Sequence, residues 1–255
     1  MKFIKTESIV LKSRLIGESD KVVTLFTKSN GKIDAIAKGA RNSKSRFLGS
    51  SHPFSIGYYV LFEGQNYYYI DQWELIHSFL KIDDDILKLS YASYFADIVY
   101  KLLEENEKNT NIYNLLKYSM YLLERGFVDC DLLSITFCLK FVTFMGYMPE
   151  VHHCLSCGRN DNIMYFSPLK GGVLCRDCKS SSDDIFYIKR ETLNMLSYLL
   201  SNGFGNIAKL RIQKNTLAEL DKVVTDYMSV HFDKNFQSKN FLDKLKNILG
   251  GDRNG

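Results

Sequence analysis

Cys154, Cys157, Cys175 and Cys178 form two C-x2-C pairs separated by seventeen residues. Each pair can aim two sulfurs at one point, and two such turns complete the tetrahedron that zinc prefers. A catalytic zinc site keeps a position open for water and takes three protein ligands, among which His, Asp or Glu is common. Four thiolates close the sphere, so the expected ion is one structural Zn2+. The intervening residues suit a small ribbon: Gly158 follows the first pair, Tyr165-Phe166 and Val173-Leu174 have the composition of short strands, and Gly171-Gly172 permits a tight turn. Two disulfides, a site in which His152 or His153 replaces a thiol, and an iron–sulfur cluster are the other readings of this spacing.

A second constellation is basic. Lys38-Gly39-Ala40-Arg41-Asn42-Ser43-Lys44-Ser45-Arg46 strings four cations along glycine and small polar residues. Lys38, Arg41, Lys44 and Arg46 can neutralise phosphates, while the Ser43 and Ser45 hydroxyls and backbone N–H groups add donors. Lys12 and Arg14, flanking the first predicted strand, extend the patch. Taken alone, a solvated basic loop explains the same residues. The charge distribution favours the binding reading: residues 1–50 carry a net +7, whereas the rest of the chain sums to −3 within an overall +4.

Known catalytic patterns are missing. No glycine-rich run leads into Lys-Ser or Lys-Thr, and Gly203-Phe204-Gly205 follows a predicted helix instead of a strand. His-Glu-x-x-His, Gly-x-Ser-x-Gly and the kinase signatures do not occur, and the histidines are scattered. The expectation is a binding protein with no catalytic residues. No uncharged run reaches the ~18–20 residues that span a bilayer, and charged residues interrupt Met1–Lys12. Cys130 and Cys138 lie eight apart in an apolar helical pattern and read as small buried hydrophobes. Together these point to a soluble, cytoplasmic chain in a reducing compartment.

The elements that must position these residues fall into two classes. Residues 1–80 read as five strands, at Ser8–Lys12, Lys21–Thr27, Lys32–Ala37, Phe54–Phe62 and Tyr67–Ile76, punctuated by turn residues. Five strands with a basic surface suit an OB-type β-barrel; an SH3-like barrel fits the same pattern. In the fourth run, Phe54, Ile56, Tyr58, Val60 and Phe62 alternate on one face. Tyr58-Tyr59, Tyr67-Tyr68-Tyr69 and Trp73 are candidates to stack on bases, but half of any strand faces the core, so none is singled out.

From Ile82 the period becomes helical. Asp83-Asp84-Asp85 can cap a helix start, and helices are expected at Ile86–Glu105, Asn111–Arg125, Asp131–Tyr147, Arg190–Ser201, Asn215–Phe232 and Lys239–Leu249. Gly126 and Gly146 serve as stops, and Pro149 closes the third helix. Ser180-Ser181-Ser182 with Asp183-Asp184 reads as a polar linker, and order is expected to lapse at Gly250–Gly255. The fold class is therefore α+β: a barrel over 1–80, then an α-helical domain over 81–255 with a four-cysteine zinc ribbon inserted at 151–180.

The combination resembles the bacterial RecO family of recombination mediators. Thr6-Glu7-Ser8-Ile9-Val10-Leu11 followed by Gly17-Glu18-Ser19-Asp20 is similar to that family's first strand and turn. Ala37-Lys38-Gly39-Ala40-Arg41, Lys44-Ser45 and Pro53-Phe54 resemble its basic loop, and Gly146-Tyr147-Met148-Pro149 before Cys154-Leu155-Ser156-Cys157-Gly158 resembles the approach to its zinc module. The resemblance covers nearly the whole chain. It implies binding of single- and double-stranded DNA, annealing of complementary strands, and contacts with RecR and with the C-terminal tail of the single-strand-binding protein SSB. It also implies a functional link to RecA loading and RecF, a place in DNA repair, and nucleoid association in a bacterial cytoplasm. By matched position, Lys38, Arg41, Lys44 and Arg46 would meet phosphates and the four cysteines would hold zinc. An RNA-binding or translation-associated protein with an OB barrel and zinc ribbon, and a helix-rich hydrolase with an unrecognised site, are the rival readings.

Overall fold

The computed structural model describes residues 3–179 and 184–251. Ser180-Ser181-Ser182 and Asp183 of the expected linker, and residues 252–255 at the end, lie outside the described residues. Five strands form a closed barrel in the order β1-β2-β3-β5-β4, with β4 pairing back onto β1. They are β1 (Phe3–Ile16), β2 (Asp20–Thr27), β3 (Gly31–Ala37), β4 (Ile56–Glu63) and β5 (Tyr68–His77). All neighbours are antiparallel except β3 and β5, which meet in parallel at Ala35↔Tyr68 and Ile36↔Tyr69. This order is that of the OB-type barrel, and it decides against the SH3-like alternative.

β1 is far longer than the expected Ser8–Lys12 because it serves two neighbours. Its first half pairs with β4 and its second with β2, and a register shift between Val10 and Lys12 bends it from one to the other. Lys12 and Arg14 therefore lie within the strand and do not flank it. The alternation of β4 is also corrected. Tyr59 and Leu61 fill the barrel, Tyr58 is 54% exposed, and Phe54 stands outside the strand with φ 65°. Apolar residues occupy both phases of this run, so composition did not fix which phase faces inward. Burial of Tyr59 is made tolerable by its hydroxyl, which donates to the Ser50 carbonyl at 2.9 Å.

The helices follow: α1 (Leu80–Asp83), α2 (Ile86–Leu102), α3 (Thr110–Arg125), α4 (Cys130–Phe144), α5 (Arg190–Ser201), α6 (Phe204–Ile207), α7 (Lys214–Phe232) and α8 (Gln237–Gly251). Asp85 caps α2 by accepting from the N–H groups of Leu87 and Lys88. Gly126 (φ 67°) and Gly146 (φ 87°) follow α3 and α4 in the left-handed conformation that ends helices.

The chain folds into two compact units, Met1–Arg125 with Phe236–Gly255, and Gly126–Asn235. This partition differs from the change of element type near residue 80. In the first unit the barrel's outer surface is itself a packing surface. Phe26 of β2 packs against Tyr113 of α3 with ring centroids 5.7 Å apart. The Lys32 ammonium of β3 donates to the Tyr100 and Leu103 carbonyls at the end of α2, at 2.6 and 2.7 Å, satisfying acceptors that the helix leaves free. α8 packs on α2, where Phe236 meets Tyr94 edge-on and Ser238 donates to Asp97.

In the second unit, α4 is buried on nearly every face and packs with α5 and α7. The three-stranded ribbon β6 (Ile163–Ser167), β7 (Gly172–Cys175) and β8 (Phe186–Tyr187) is inserted between α4 and α5. β8, absent from the sequence reading, is only two residues long and pairs through Tyr165↔Tyr187 and Phe166↔Phe186.

Candidate metal centre and nucleic-acid interface

The ribbon brings the four cysteines together. Gly158, at φ 73°, lets the first C-x2-C segment close as a knuckle in which the Gly158 N–H donates to the Cys154 carbonyl at 2.8 Å. The Cys154 N–H in turn donates to the Arg159 carbonyl. The second pair comes from the end of β7 and the 3-10 turn Arg176–Cys178. All four sulfurs lie within 4.8 Å of one another, and Cys157 Sγ is 3.8 Å from Cys175 Sγ. Sulfurs at ~2.3 Å from a tetrahedral ion are about 3.8 Å apart, so the residues fit a four-thiolate metal.

The electrostatics of the cluster are uneven. Burial raises the Cys154 thiol, but N–H groups of Cys175, Cys157 and Ser156 outweigh it and bring it down to about 6. Hydrogen bonds to Cys175 and Cys157 push Cys178 up to about 12. A divalent cation would hold all four as thiolates. Arg159 supports the charge from outside. Its guanidinium donates to Cys157 Sγ at 3.5 Å and to Asp177 at 2.8 Å, which lowers the Cys157 thiol and raises Arg159 itself. His152 and His153 are not part of the cluster: their N–H groups donate to Glu150, and the His152 ring faces Ser197 at 3.4 Å.

The basic loop is built differently. Ala40 and Phe47 insert into the barrel core, 0% and 7% exposed, and pin the segment that carries the cations. The Asp20 carboxylate accepts the Gly39 N–H at 2.7 Å, Trp73 Nε1 donates to the Arg46 carbonyl at 2.6 Å, and the Lys21 ammonium reaches Ser51 Oγ at 3.1 Å. Gly39 takes φ 67°, and a Cβ at Gly49 would meet the Trp73 ring at 2.8 Å, so both positions need glycine. Ser45 Oγ accepts from the Phe47 N–H and so shapes the turn.

Lys38, Arg41, Lys44 and Arg46 are all exposed. Among the described residues none of them pairs with a carboxylate. Arg41 donates to the Gly17 carbonyl at 3.1 Å, Arg46 lies over the Phe47 ring, and Lys38 is 5.2 Å from the centre of the Tyr69 ring. These contacts orient the cations without neutralising them. Lys12 and Arg14 are more engaged: the Lys12 ammonium sits 3.4 Å above the Tyr100 ring, and Arg14 Nη2 donates to Tyr67 Oη at 3.4 Å. The arrangement can attract and hold a polyanion.

Comparison with known proteins identifies the family. The family model described as recombination protein O N terminal matches residues 1–79, and the one described as recombination protein O C terminal matches 83–240. The DNA repair protein RecO of Thermoanaerobacter sp. (strain X514) is 44% identical over 97% of this chain and 100% of its own length. Its counterpart in Caldanaerobacter subterraneus subsp. tengcongensis is 42% identical over 96% of this chain and 99% of its own. That of Alkaliphilus metalliredigens is 35% identical over 95% and 99%. No described helix is long and apolar enough to cross a membrane. With an OB-type barrel, a ribbon of four convergent cysteines and matches that run through both halves, this chain belongs to the recombination protein O family.

Proposed function

We propose that this chain is a DNA-binding recombination mediator of DNA repair. It anneals complementary single strands and helps to load RecA onto SSB-coated DNA together with RecR, in the pathway that includes RecF. It acts by binding and turns over no small substrate. It works in the bacterial cytoplasm at the nucleoid, and the ion at its cysteines is one structural Zn2+. The observation that carries the reading is the row of exposed, carboxylate-free cations, Lys38, Arg41, Lys44 and Arg46, pinned to the end of the barrel by Ala40 and Phe47. Neutralising phosphates releases counterions and is indifferent to sequence, which suits a protein that must bring any two complementary strands together. The relatives named DNA repair proteins support the same assignment.

The test compares wild type with the variant carrying alanine at all four loop positions. Log affinity for DNA falls with log salt at roughly −0.7 to −0.9 per phosphate contact. The variant should lose about three units of that slope and weaken on every sequence alike. Wild type should anneal complementary strands without ATP, naked or SSB-coated. The variant should fail on both, whereas deleting the SSB tail should matter only on coated DNA. An unchanged salt slope would move the DNA site elsewhere, and a wild type inactive on both substrates would favour an RNA-binding role.

A further inference from the structure

Tyr58 is 54% exposed on the outer face of β4. The antiparallel register sets Glu7 opposite Tyr58 and Lys5 opposite Val60, on the same outward face. Lys28, immediately after β2, is brought to this place by its N–H, which donates to the Glu7 carbonyl at 2.9 Å. Lys5, Glu7, Lys28, Ser29, Tyr58 and Val60 line a cavity of about 470 Å³. Its one lining carboxylate, Glu7, is already satisfied, accepting from Tyr113 Oη at 2.9 Å and from the Lys117 ammonium at 2.6 Å. Lys5 and Lys28 are exposed and, among the described residues, neither lies within ion-pair distance of a carboxylate.

We propose that this cavity is a base-binding subsite for single-stranded DNA, a refinement that rests on the DNA-binding reading above. Tyr58 stacks on an unpaired base, and Lys5 and Lys28 meet the phosphates on either side of it. An aromatic face between exposed cations complements both parts of a nucleotide and is tolerant of sequence, because every base has a π-face. The subsite is separate from the basic loop. β2 begins beside the loop at Asp20 and ends next to Lys28, a run of about 23 Å at the usual strand rise. That distance fits the ~4–16 nucleotides that barrels of this kind occupy. Bases in a duplex keep their faces within the stack, so this subsite distinguishes single strands from duplex, which phosphate contacts at the loop do not.

The test uses the full chain with an oligo-dT strand and with a duplex of the same length. Tyr58→Ala should weaken single-strand binding roughly 5- to 100-fold and leave duplex binding unchanged, while Tyr58→Trp should retain it. A strand carrying 5-iodouracil should photo-cross-link to Tyr58 in the wild type. Single-strand binding by Tyr58→Ala equal to wild type, or an equal loss on both substrates, would overturn the subsite. So would cross-links mapping only to other residues. Failure of the underlying reading looks different: the wild type would then bind neither oligonucleotide.

Discussion

At the metal centre four sulfurs converge to within 4.8 Å of one another, whereas the four cations of the basic loop are spread along a segment held down by Ala40 and Phe47. Both regions concentrate one kind of charge, yet they reach stability by opposite routes. The cysteines are held by short strands and tight turns in a ribbon with little core of its own, so an ion bound there would also contribute folding energy. The loop owes its shape to apolar anchors and backbone hydrogen bonds, with no ligand needed to hold it. Charge that converges needs its partner in order to fold; charge that diverges is preorganised to wait for one.

The largest effect that can break this contrast is at Cys175, which is 1% exposed. Cys175→Ser should release the metal and unfold the ribbon, because structural zinc sites carry on the order of 10–16 kcal/mol of apparent binding energy. Elemental analysis and thermal unfolding measure this together, and full metal content with an unchanged melting temperature would remove the distinction. Next comes the loop's anchor. Phe47→Ala should cost about 3–5 kcal/mol in denaturant unfolding, whereas the Lys38→Ala, Lys44→Ala double variant should unfold like wild type while losing about two units of salt slope in DNA binding. A large stability loss in the double variant would show that the cations are structural after all.

Glu7 offers an intermediate case, a charge satisfied from within the protein. Burial raises its carboxyl, but hydrogen bonds from Lys117 and Tyr113 outweigh that and hold it below its ordinary value. A depressed carboxylate stabilises the fold above the unfolded-state pKa and loses that contribution as pH falls through the folded-state value. Glu7→Gln should therefore be less stable than wild type at pH 7, with the gap closing on acidification below about pH 4. Denaturant midpoints at several pH values test this; a gap that widens toward acid would refute it. Smallest is a control that touches neither region: Asp85→Ala should cost about 1 kcal/mol by removing the cap of α2, with metal content and DNA affinity unaltered.

Much of this was legible in the sequence because it depended on local patterns. The cysteine spacing, Gly158 and the charge of residues 38–46 are readable without long-range information, as were α5 at Arg190–Ser201 and the caps at Asp85, Gly126 and Gly146. What escaped depended on distant partners. The length of β1 follows from its service to both β2 and β4, and no window of sequence contains both. Tyr59 and Leu61 turn inward where Tyr58 and Val60 do not, a choice that composition leaves open when both phases are apolar. The subsite around Tyr58 needed the register that sets Lys5 and Glu7 beside β4. Lys12, read as part of the phosphate surface, lies over Tyr100, a ring eighty-eight residues further on.

The return of α8 to the first unit has a consequence for how the protein is made. Residues Phe236–Gly255 belong with Met1–Arg125, and α2 is left without its Phe236 and Ser238 contacts until they emerge. At ribosomal rates of ~5–20 residues per second, about 5–20 s separate the two segments. The whole of Gly126–Asn235, cysteines included, is synthesised in that interval. The unit that carries the four cysteines is thus available to fold while the nascent barrel unit still has an unfinished helical face.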